Sequence, residues 1–152
     1  MTPNADHEKI ILCGIFRRKG GNGIYTKIYD ELDLLAKELL QKQVQETDDE
    51  KLVIAGIINS SEWQLITTKK IIWGTHGVIK SINFEELIDA LVDLPKLMKD
   101  NVRLVDNTEL VVITKDGQRT ILKLEAGKSF SGIWNIIKFI GLRNRRAEQK
   151  SS

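Results

Sequence analysis

The sequence predicts an α+β fold in which an antiparallel barrel or sandwich of short strands is closed by a C-terminal helix. Two observations lead to this class. Residues 52–82 consist of short apolar segments separated by polar or glycine-containing turns, a spacing typical of an antiparallel meander. Residues 130–140 then place aromatic and aliphatic side chains at helical intervals, so that one apolar stripe is available to cover the open end of the strands.

A strand and a long helix are expected before the meander. Residues 10–16 are short and rich in β-branched and aliphatic side chains, which predicts a buried strand. In residues 25–46 the apolar positions recur at gaps of three and four and predict one helix. The predicted organisation is a single domain over residues 1–152, made of a strand-helix extension (1–47), a barrel with its closing helix (48–146) and a frayed tail (147–152).

Four short strands are predicted in the meander. They span residues 52–58, 62–67, 71–73 and 78–82. After them, Asn83 is a candidate N-cap and Glu86 lies three positions later, which matches a capping box. A helix is therefore expected from Asn83 to Pro95, because proline rarely continues a helix.

A hairpin is predicted near the end of the chain, after a weak strand at residues 101–105. Asp116-Gly117 is the strongest hairpin signal in the sequence and predicts a two-residue turn between strands at 109–115 and 118–124. The cross-strand pairs expected from this turn are Ile113 with Thr120 and Val111 with Leu122.

The last predicted helix spans residues 131–145. Ser129 or Ser131 is suited to cap its N-terminus. Three arginines at residues 143–146 gather at its C-terminal end, where the helix dipole favours cations. Its apolar stripe makes it the element that closes the strands.

The composition is that of an ordinary folded chain. With 152 residues, of which 41% are hydrophobic and 29% charged, the chain is long enough to bury a core without disulfides. Its net charge of +2, from 23 basic and 21 acidic residues, argues against a nucleic-acid partner. No stretch approaches the roughly 20 apolar residues of a membrane span. The single cysteine, Cys13, cannot form an internal disulfide, so a cytoplasmic location is expected.

Residues 50–139 resemble the pleckstrin-homology-like superfold, in particular its bacterial PH-like and GRAM-like variants. The segment Trp63-Gln64-Leu65-Ile66-Thr67-Thr68-Lys69-Lys70-Ile71-Ile72-Trp73 is similar to the hairpin pattern of that family. Ile82-Asn83-Phe84-Glu85-Glu86-Leu87 is similar to the short segment after its third strand, and the closing hairpin and helix follow in the same order. The resemblance implies a small barrel and, in the lipid-binding members, cations around the first hairpins.

No catalytic, cofactor or metal site is predicted. The glycine-rich loop 17–23 and the segment Gly127-Lys128-Ser129 lack the other residues of phosphate-binding motifs. Two histidines and one thiol are too few for most catalytic or zinc sites. The chain is therefore predicted not to be an enzyme and to need no cofactor. An enzymatic alternative requires Glu85 or Asp89 to lie in a pocket beside His76 or a lysine.

A fold without catalytic residues favours a binding function, and a protein is the expected partner. One concrete version is an inhibitor or immunity-type protein that neutralises a specific partner. The acidic residues predicted to contact that partner are Asp48, Asp49, Glu50, Glu85, Glu86 and Asp89. The alternative is a peripheral module that binds anionic lipid. The candidate residues for lipid are Arg17, Arg18, Lys19, Lys69, Lys70 and Lys80.

Overall fold

The computed structural model describes residues 4–151. Within them, four α-helices form: α1 (Ala5–Arg18), α2 (Leu34–Gln41), α3 (Leu94–Lys99) and α4 (Lys128–Ser151). The strands are β1 (Thr26–Ile28), β2 (Leu52–Asn59), β3 (Glu62–Thr67), β4 (Lys70–Thr75), β5 (Val78–Asn83), β6 (Leu87–Leu91), β7 (Glu109–Thr114) and β8 (Arg119–Lys123). The parts of the sequence-based organisation that concern residues 1–3 and 152 lie outside the described residues.

The strands form two antiparallel sheets. The first has the strand order β1-β2-β3-β4-β5, and the second has the order β6-β7-β8. α4 packs on β6, and α1 packs along α4. The predicted α+β class is therefore confirmed, and so are the four strands of the meander, now β2 to β5, with small differences at their ends. Across residues 4–151 the two sheets remain separate and do not join into a closed barrel.

The strand predicted at residues 10–16 is wrong, because this segment lies inside helix α1. Leu12 and Phe16 are fully buried at a spacing of four, whereas Ile10, in the same apolar run, is 69% exposed. The side chain of Asn4 accepts a hydrogen bond from an N–H of the first turn and caps the helix. Helical spacing and capping therefore outweigh the β-branched composition of the run.

β1, a single 3-10 turn and α2 replace the helix predicted over residues 25–46. β1 pairs with β2 and places Ile28 opposite Ile54. The Asp33 side chain then accepts the N–H of Ala36 at 2.8 Å and begins α2. Helical spacing holds only after Asp33, because the backbone before it is hydrogen-bonded to the edge of the first sheet.

The helix predicted from Asn83 to Pro95 is also wrong. The Asn83 side chain makes no capping hydrogen bond, and a single 3-10 turn follows it. The next residues are strand β6, in which Ala90 pairs with Val112 of β7. Pro95 lies in the first turn of α3, where its missing N–H costs nothing. Pairing with a distant strand therefore overrides the local capping signal.

The Asp116-Gly117 hairpin is confirmed, but its register differs from the prediction by one residue. The N–H of Thr114 donates to the carbonyl of Gln118 at 3.1 Å and closes a three-residue loop with Gly117 at φ +84°. The observed pairs are Leu110 with Leu122, Val111 with Ile121, Val112 with Thr120 and Ile113 with Arg119. A shift of one residue exchanges the two faces of a strand. In β7 the residues that point to the core are therefore the sequence neighbours of those expected there.

Two further boundaries differ from expectation. No strand forms at residues 101–105, and Leu104–Asp106 is a 3-10 turn instead. α4 begins three residues before the predicted start and continues through residues 147–151. Six basic side chains interrupt its sequence. In the described part of the chain, no helix is long and apolar enough to cross a membrane.

Two hydrophobic cores lie on opposite faces of the first sheet. Adjacent residues of β2 point to different cores, Ile54 to the main core and Ala55 to the second. The main core lies under the second sheet, α1 and α4, and includes Phe16 and Ile137, which are fully buried. The second core lies under α2 and includes Leu40. The N-terminal segment therefore packs on the same sheets as the rest of the described chain.

α4 also covers the outer edge of β6. The Trp134 indole N–H donates to the carbonyl of Ala90 at 2.9 Å, and the Asn144 amide donates to the carbonyl of Leu87 at 2.8 Å. Gly141 lies so close to this strand that a Cβ would be 2.2 Å from a carbonyl oxygen of β6. The helix thus occupies backbone groups that an unpaired strand edge leaves to solvent.

Candidate functional site

The connection between β6 and β7 exposes a group of apolar side chains. Met98 is 81% exposed, and four other large apolar residues nearby are more than one third exposed. Single exposed apolar residues are common on proteins, but a group of them marks a contact surface. We call this group the β6–β7 surface. It consists of Leu94, Met98, Val102, Leu104 and Val105.

Hydrogen bonds within the connection hold this surface in place. Asp93 caps α3 by accepting the N–H of Lys96 at 3.1 Å. Leu97 is buried and anchors the helix, and its carbonyl accepts the N–H of Val102 at 2.9 Å. The side chain of the buried Asn107 bonds with the backbone of Glu109 in both directions, at 2.9 and 3.1 Å. The apolar side chains are therefore presented by an ordered segment.

Charged residues around the β6–β7 surface balance one another. The segment contains three acidic residues, Asp93, Asp100 and Asp106, and three basic residues, Lys96, Lys99 and Arg103. Two of the pairs are in contact: Lys96 with Glu109 of β7 and Arg103 with Asp106, each at 2.8 Å. A neutral rim around an apolar centre is the usual make-up of a protein–protein contact, and it gives little attraction to a polyanion.

The acidic residues predicted to contact a partner are divided between surface and structural roles. Four of them are exposed in the segments before β2 and before β6: Asp48, Asp49, Glu85 and Glu86. Glu50 is half-buried, accepts the hydroxyl of Thr67 at 2.6 Å and lies 3.7 Å from Lys70. Asp89 lies within β6 and accepts the N–H of Ala90 at 2.8 Å. Glu50 and Asp89 therefore stabilise local structure.

The basic residues predicted to bind lipid lie in three different places. They are Arg17, Arg18 and Lys19 at the end of α1, Lys69 and Lys70 at the turn between β3 and β4, and Lys80 within β5. Lys70 faces the carboxylate of Glu50, which offsets its charge. Lys80 lies opposite Trp73 in the neighbouring strand. The largest basic group is on α4 instead, which has six basic residues and one acidic residue.

The glycine-rich loop after α1 is occupied by a carboxylate of the chain itself. Glu125 accepts the backbone N–H groups of Ile24, Tyr25 and Thr26, the last two at 2.9 and 2.8 Å. A Cβ on Gly23 would be 2.7 Å from the Ser129 hydroxyl, so the loop approaches α4 closely. Burial raises the pKa of Glu125, but the three N–H donors lower it further, and the net pKa lies below its ordinary value. The backbone donors that could hold a phosphate are therefore used inside the fold.

Two residues of the enzymatic alternative, His76 and Glu85, lie at opposite ends of β5. His76 is in the turn between β4 and β5, at φ +49°, whereas Glu85 follows the other end of β5. A strand of this length spans about 20 Å. Cys13 is buried in α1, and this burial raises the pKa of its thiol. Among residues 4–151, no group of three or more His, Cys, Asp or Glu side chains is arranged to hold a metal ion.

Sequence reasoning does not identify the β6–β7 surface. Its residues are predicted partly as the end of a helix and partly as a weak strand, and both predictions assign apolar side chains to a core. No sequence signal marks the exposure: between Pro95 and Asp106 the apolar residues Met98, Val102 and Val105 recur at gaps of four and three, which predicts one face of a helix packed on a core.

Comparison of the chain with protein-family models, with curated proteins and with solved structures finds no match. No relative therefore indicates a function. The geometry of the described surfaces is the basis for the proposals that follow.

Proposed function

We propose that this chain is a non-enzymatic protein-binding module and that the β6–β7 surface contacts its partner. The observation behind the proposal is the ordered exposure of five apolar side chains on a hydrogen-bonded connection. A contact surface that is already ordered loses less entropy on binding. Exposed methionine, as at Met98, adapts its shape to a partner. An inhibitor or immunity-type role, in which the module covers a site on another protein, is consistent with this surface.

A pleckstrin-homology-like, GRAM-like fold is proposed together with this function. Two observations support it. The strands after α2 form consecutive antiparallel meanders, β2 to β5 and β6 to β8. A long amphipathic helix follows them and packs on the second sheet. The order of elements thus agrees with the sequence resemblance over residues 50–139.

Replacement of both Met98 and Leu104 with serine is expected to abolish partner capture without unfolding the chain. Both side chains are exposed, at 81% and 55%, so the free energy of unfolding should change by less than about 0.5 kcal/mol per site. Loss of central apolar contacts weakens a protein complex by roughly tenfold or more. Affinity capture from an extract of the source cells, read by mass spectrometry, measures binding, and thermal unfolding checks the fold.

The chain offers a matched control on another surface. Leu34 and Leu35 of α2 are 73% and 70% exposed, and their replacement with serine should leave capture unchanged. Loss of capture in this α2 variant, with capture retained by the Met98/Leu104 variant, would place the contact elsewhere. A wild-type chain that captures no protein contradicts the proposal. If that chain sediments with anionic vesicles instead, the lipid-binding alternative is favoured.

A further inference from the structure

The two edges of the second sheet differ. α4 covers the edge of β6, whereas β8 is an edge strand that pairs only with β7 among residues 4–151. The bonds Thr114 N–H to Gln118 and Leu124 N–H to Thr108 turn the peptide groups of even-numbered β8 residues toward β7. Because these groups alternate along an antiparallel strand, the N–H and C=O groups of Arg119, Ile121 and Lys123 face the open edge. Backbone hydrogen-bonding groups therefore face the open edge along the whole length of β8.

A groove lies beside this open edge, between β8 and the first sheet. It consists of two adjoining hollows of about 370 and 530 Å³, and Trp73 lines both. The smaller hollow has apolar walls that include Tyr25, Ile58 and Leu124. Gln64 also lines it, and the polar side chains of Glu62, Thr75 and Thr108 interrupt the apolar wall. A side chain entering this hollow would meet a mostly apolar wall.

The outer face of β8 has a distinct charge pattern. Arg119, Ile121 and Lys123 are exposed on this face, with Ile121 at 50%. Ile121 continues an apolar row that runs through Val111 of β7 and Leu91 of β6. A strand added beside β8 would extend this row with an aliphatic residue and would meet a cation on either side of it.

We propose that β8 pairs with an extended segment of a partner protein, which adds a strand to the second sheet. The segment has five residues in the order acidic, aromatic, aliphatic, aromatic, acidic. Its acidic residues lie opposite Arg119 and Lys123, and its aliphatic residue lies opposite Ile121. The two aromatic residues point into the groove toward Trp73.

A second copy of the same strand is a poor occupant of this edge. Antiparallel pairing centred on Ile121 would place Arg119 of one copy opposite Lys123 of the other. Like charges in directly opposite positions destabilise a strand pair. The cations of β8 therefore favour an acidic segment from a different protein. This surface is separate from the β6–β7 surface, so the inference goes beyond the proposed function and does not depend on it.

The test uses three blocked synthetic peptides and the full chain. The first, Glu-Tyr-Val-Tyr-Glu, has the proposed pattern and, because it is symmetric, presents that pattern in either strand direction. The second, Tyr-Glu-Val-Glu-Tyr, has the same composition, but its acidic and aromatic residues have exchanged places. The third, Lys-Tyr-Val-Tyr-Lys, reverses the charges. Calorimetric titration should show binding of the first peptide and at least tenfold weaker binding of the other two. Amide hydrogen exchange should slow at Arg119, Ile121 and Lys123.

Two variants separate strand addition from other modes of binding. Ile121→Pro removes an N–H that faces only the open edge, a position where proline is tolerated. This variant should bind the first peptide about tenfold more weakly than the wild-type chain does, as expected for one lost hydrogen bond, and its thermal unfolding should stay cooperative. The double variant Arg119→Glu/Lys123→Glu leaves the backbone unchanged and should bind the lysine peptide in preference to the glutamate peptide.

Several results would overturn the inference. One is equal binding of the first two peptides, and another is binding without slowed exchange in β8. A third is equally tight binding of N-acetyltyrosine amide, which would assign the groove to small aromatic ligands. Absence of binding at about 1 mM peptide would also reject it. None of these outcomes bears on capture through the β6–β7 surface, which the Leu34/Leu35 and Met98/Leu104 variants test separately.

Discussion

Replacement of Glu125 with alanine is expected to lower the free energy of unfolding by about 1–3 kcal/mol. The carboxylate is buried and accepts three consecutive backbone N–H groups, from Ile24, Tyr25 and Thr26. Alanine would leave these donors without a partner: the buried N–H of Thr26 would cost about 1 kcal/mol or more, and the partly buried N–H groups of Ile24 and Tyr25 would cost less because water reaches them. The loop after α1 also loses its attachment to the segment before α4, so both helices are affected.

Denaturant unfolding followed by circular dichroism measures this effect. Glu85→Ala is a suitable control, because Glu85 is exposed and its replacement should change stability by less than about 0.5 kcal/mol. If Glu125→Ala unfolds at the same denaturant concentration as the wild-type chain, the carboxylate does not hold the loop. A change in the slope of the transition would indicate altered compactness instead.

The same carboxylate makes stability depend on acid. The pKa of Glu125 in the folded chain lies below its ordinary value of 4.5, because the three N–H donors outweigh the effect of burial. A lowered pKa stabilises the fold at pH values above the ordinary value and loses this contribution as the pH falls through the folded-state pKa. The stability difference between wild-type and Glu125→Gln should be constant above about pH 5 and shrink below it. A difference that stays constant down to about pH 3 would contradict this.

Replacement of Gly141 with alanine is expected to destabilise the chain by about 1–3 kcal/mol, although alanine is the better helix former. A Cβ at this position would be 2.2 Å from a carbonyl oxygen of β6, which is backbone and cannot rotate away. α4 would have to move away from β6. The hydrogen bonds of Trp134 and Asn144 to the same strand would then lengthen.

Gly14 in α1 provides the matched comparison. A Cβ there would be 3.1 Å from the guanidinium of Arg18, the mobile end of a flexible side chain. Gly14→Ala should therefore stabilise the chain by up to about 1 kcal/mol, the usual gain in a helix interior. Thermal unfolding of the two variants in parallel distinguishes the cases. Equal shifts of the melting temperature in one direction would show that α4 does not touch β6 at Gly141.

The parts of the fold that follow local rules could be predicted from the sequence. β3 has the predicted bounds, and the helical spacing of residues 130–140 led to α4. The Asp116-Gly117 signal led to the hairpin, but the turn contains three residues rather than two. The length of the turn decides the register of the two strands. The sequence signal is nearly the same for two-residue and three-residue turns, so the sequence does not distinguish the two registers.

The strand predicted at residues 10–16 is wrong because local helical spacing and the Asn4 cap outweigh composition there, whereas two other errors arise where distant residues decide local structure. The sequence pattern of a capping box precedes residues 87–91, yet pairing with β7 makes them a strand. The predicted helix does not begin at Tyr25, because the carboxylate of Glu125, one hundred residues later, accepts the backbone N–H of Tyr25. The β6–β7 surface escapes prediction for a related reason. Exposed apolar residues such as Met98 look like core residues until their surroundings are known.

The contact between α4 and β6 has a consequence for synthesis on the ribosome. β6 ends at residue 91, whereas Asn144, which bonds to its edge, is made 53 residues later. At a translation rate of 5–20 residues per second, the residue that covers this edge is made roughly 3–10 s after β6. Until α4 packs on it, the outer edge of β6 is open, and a neighbouring chain would be able to pair with it. A chain that ends before α4 is therefore expected to aggregate more readily than the full chain.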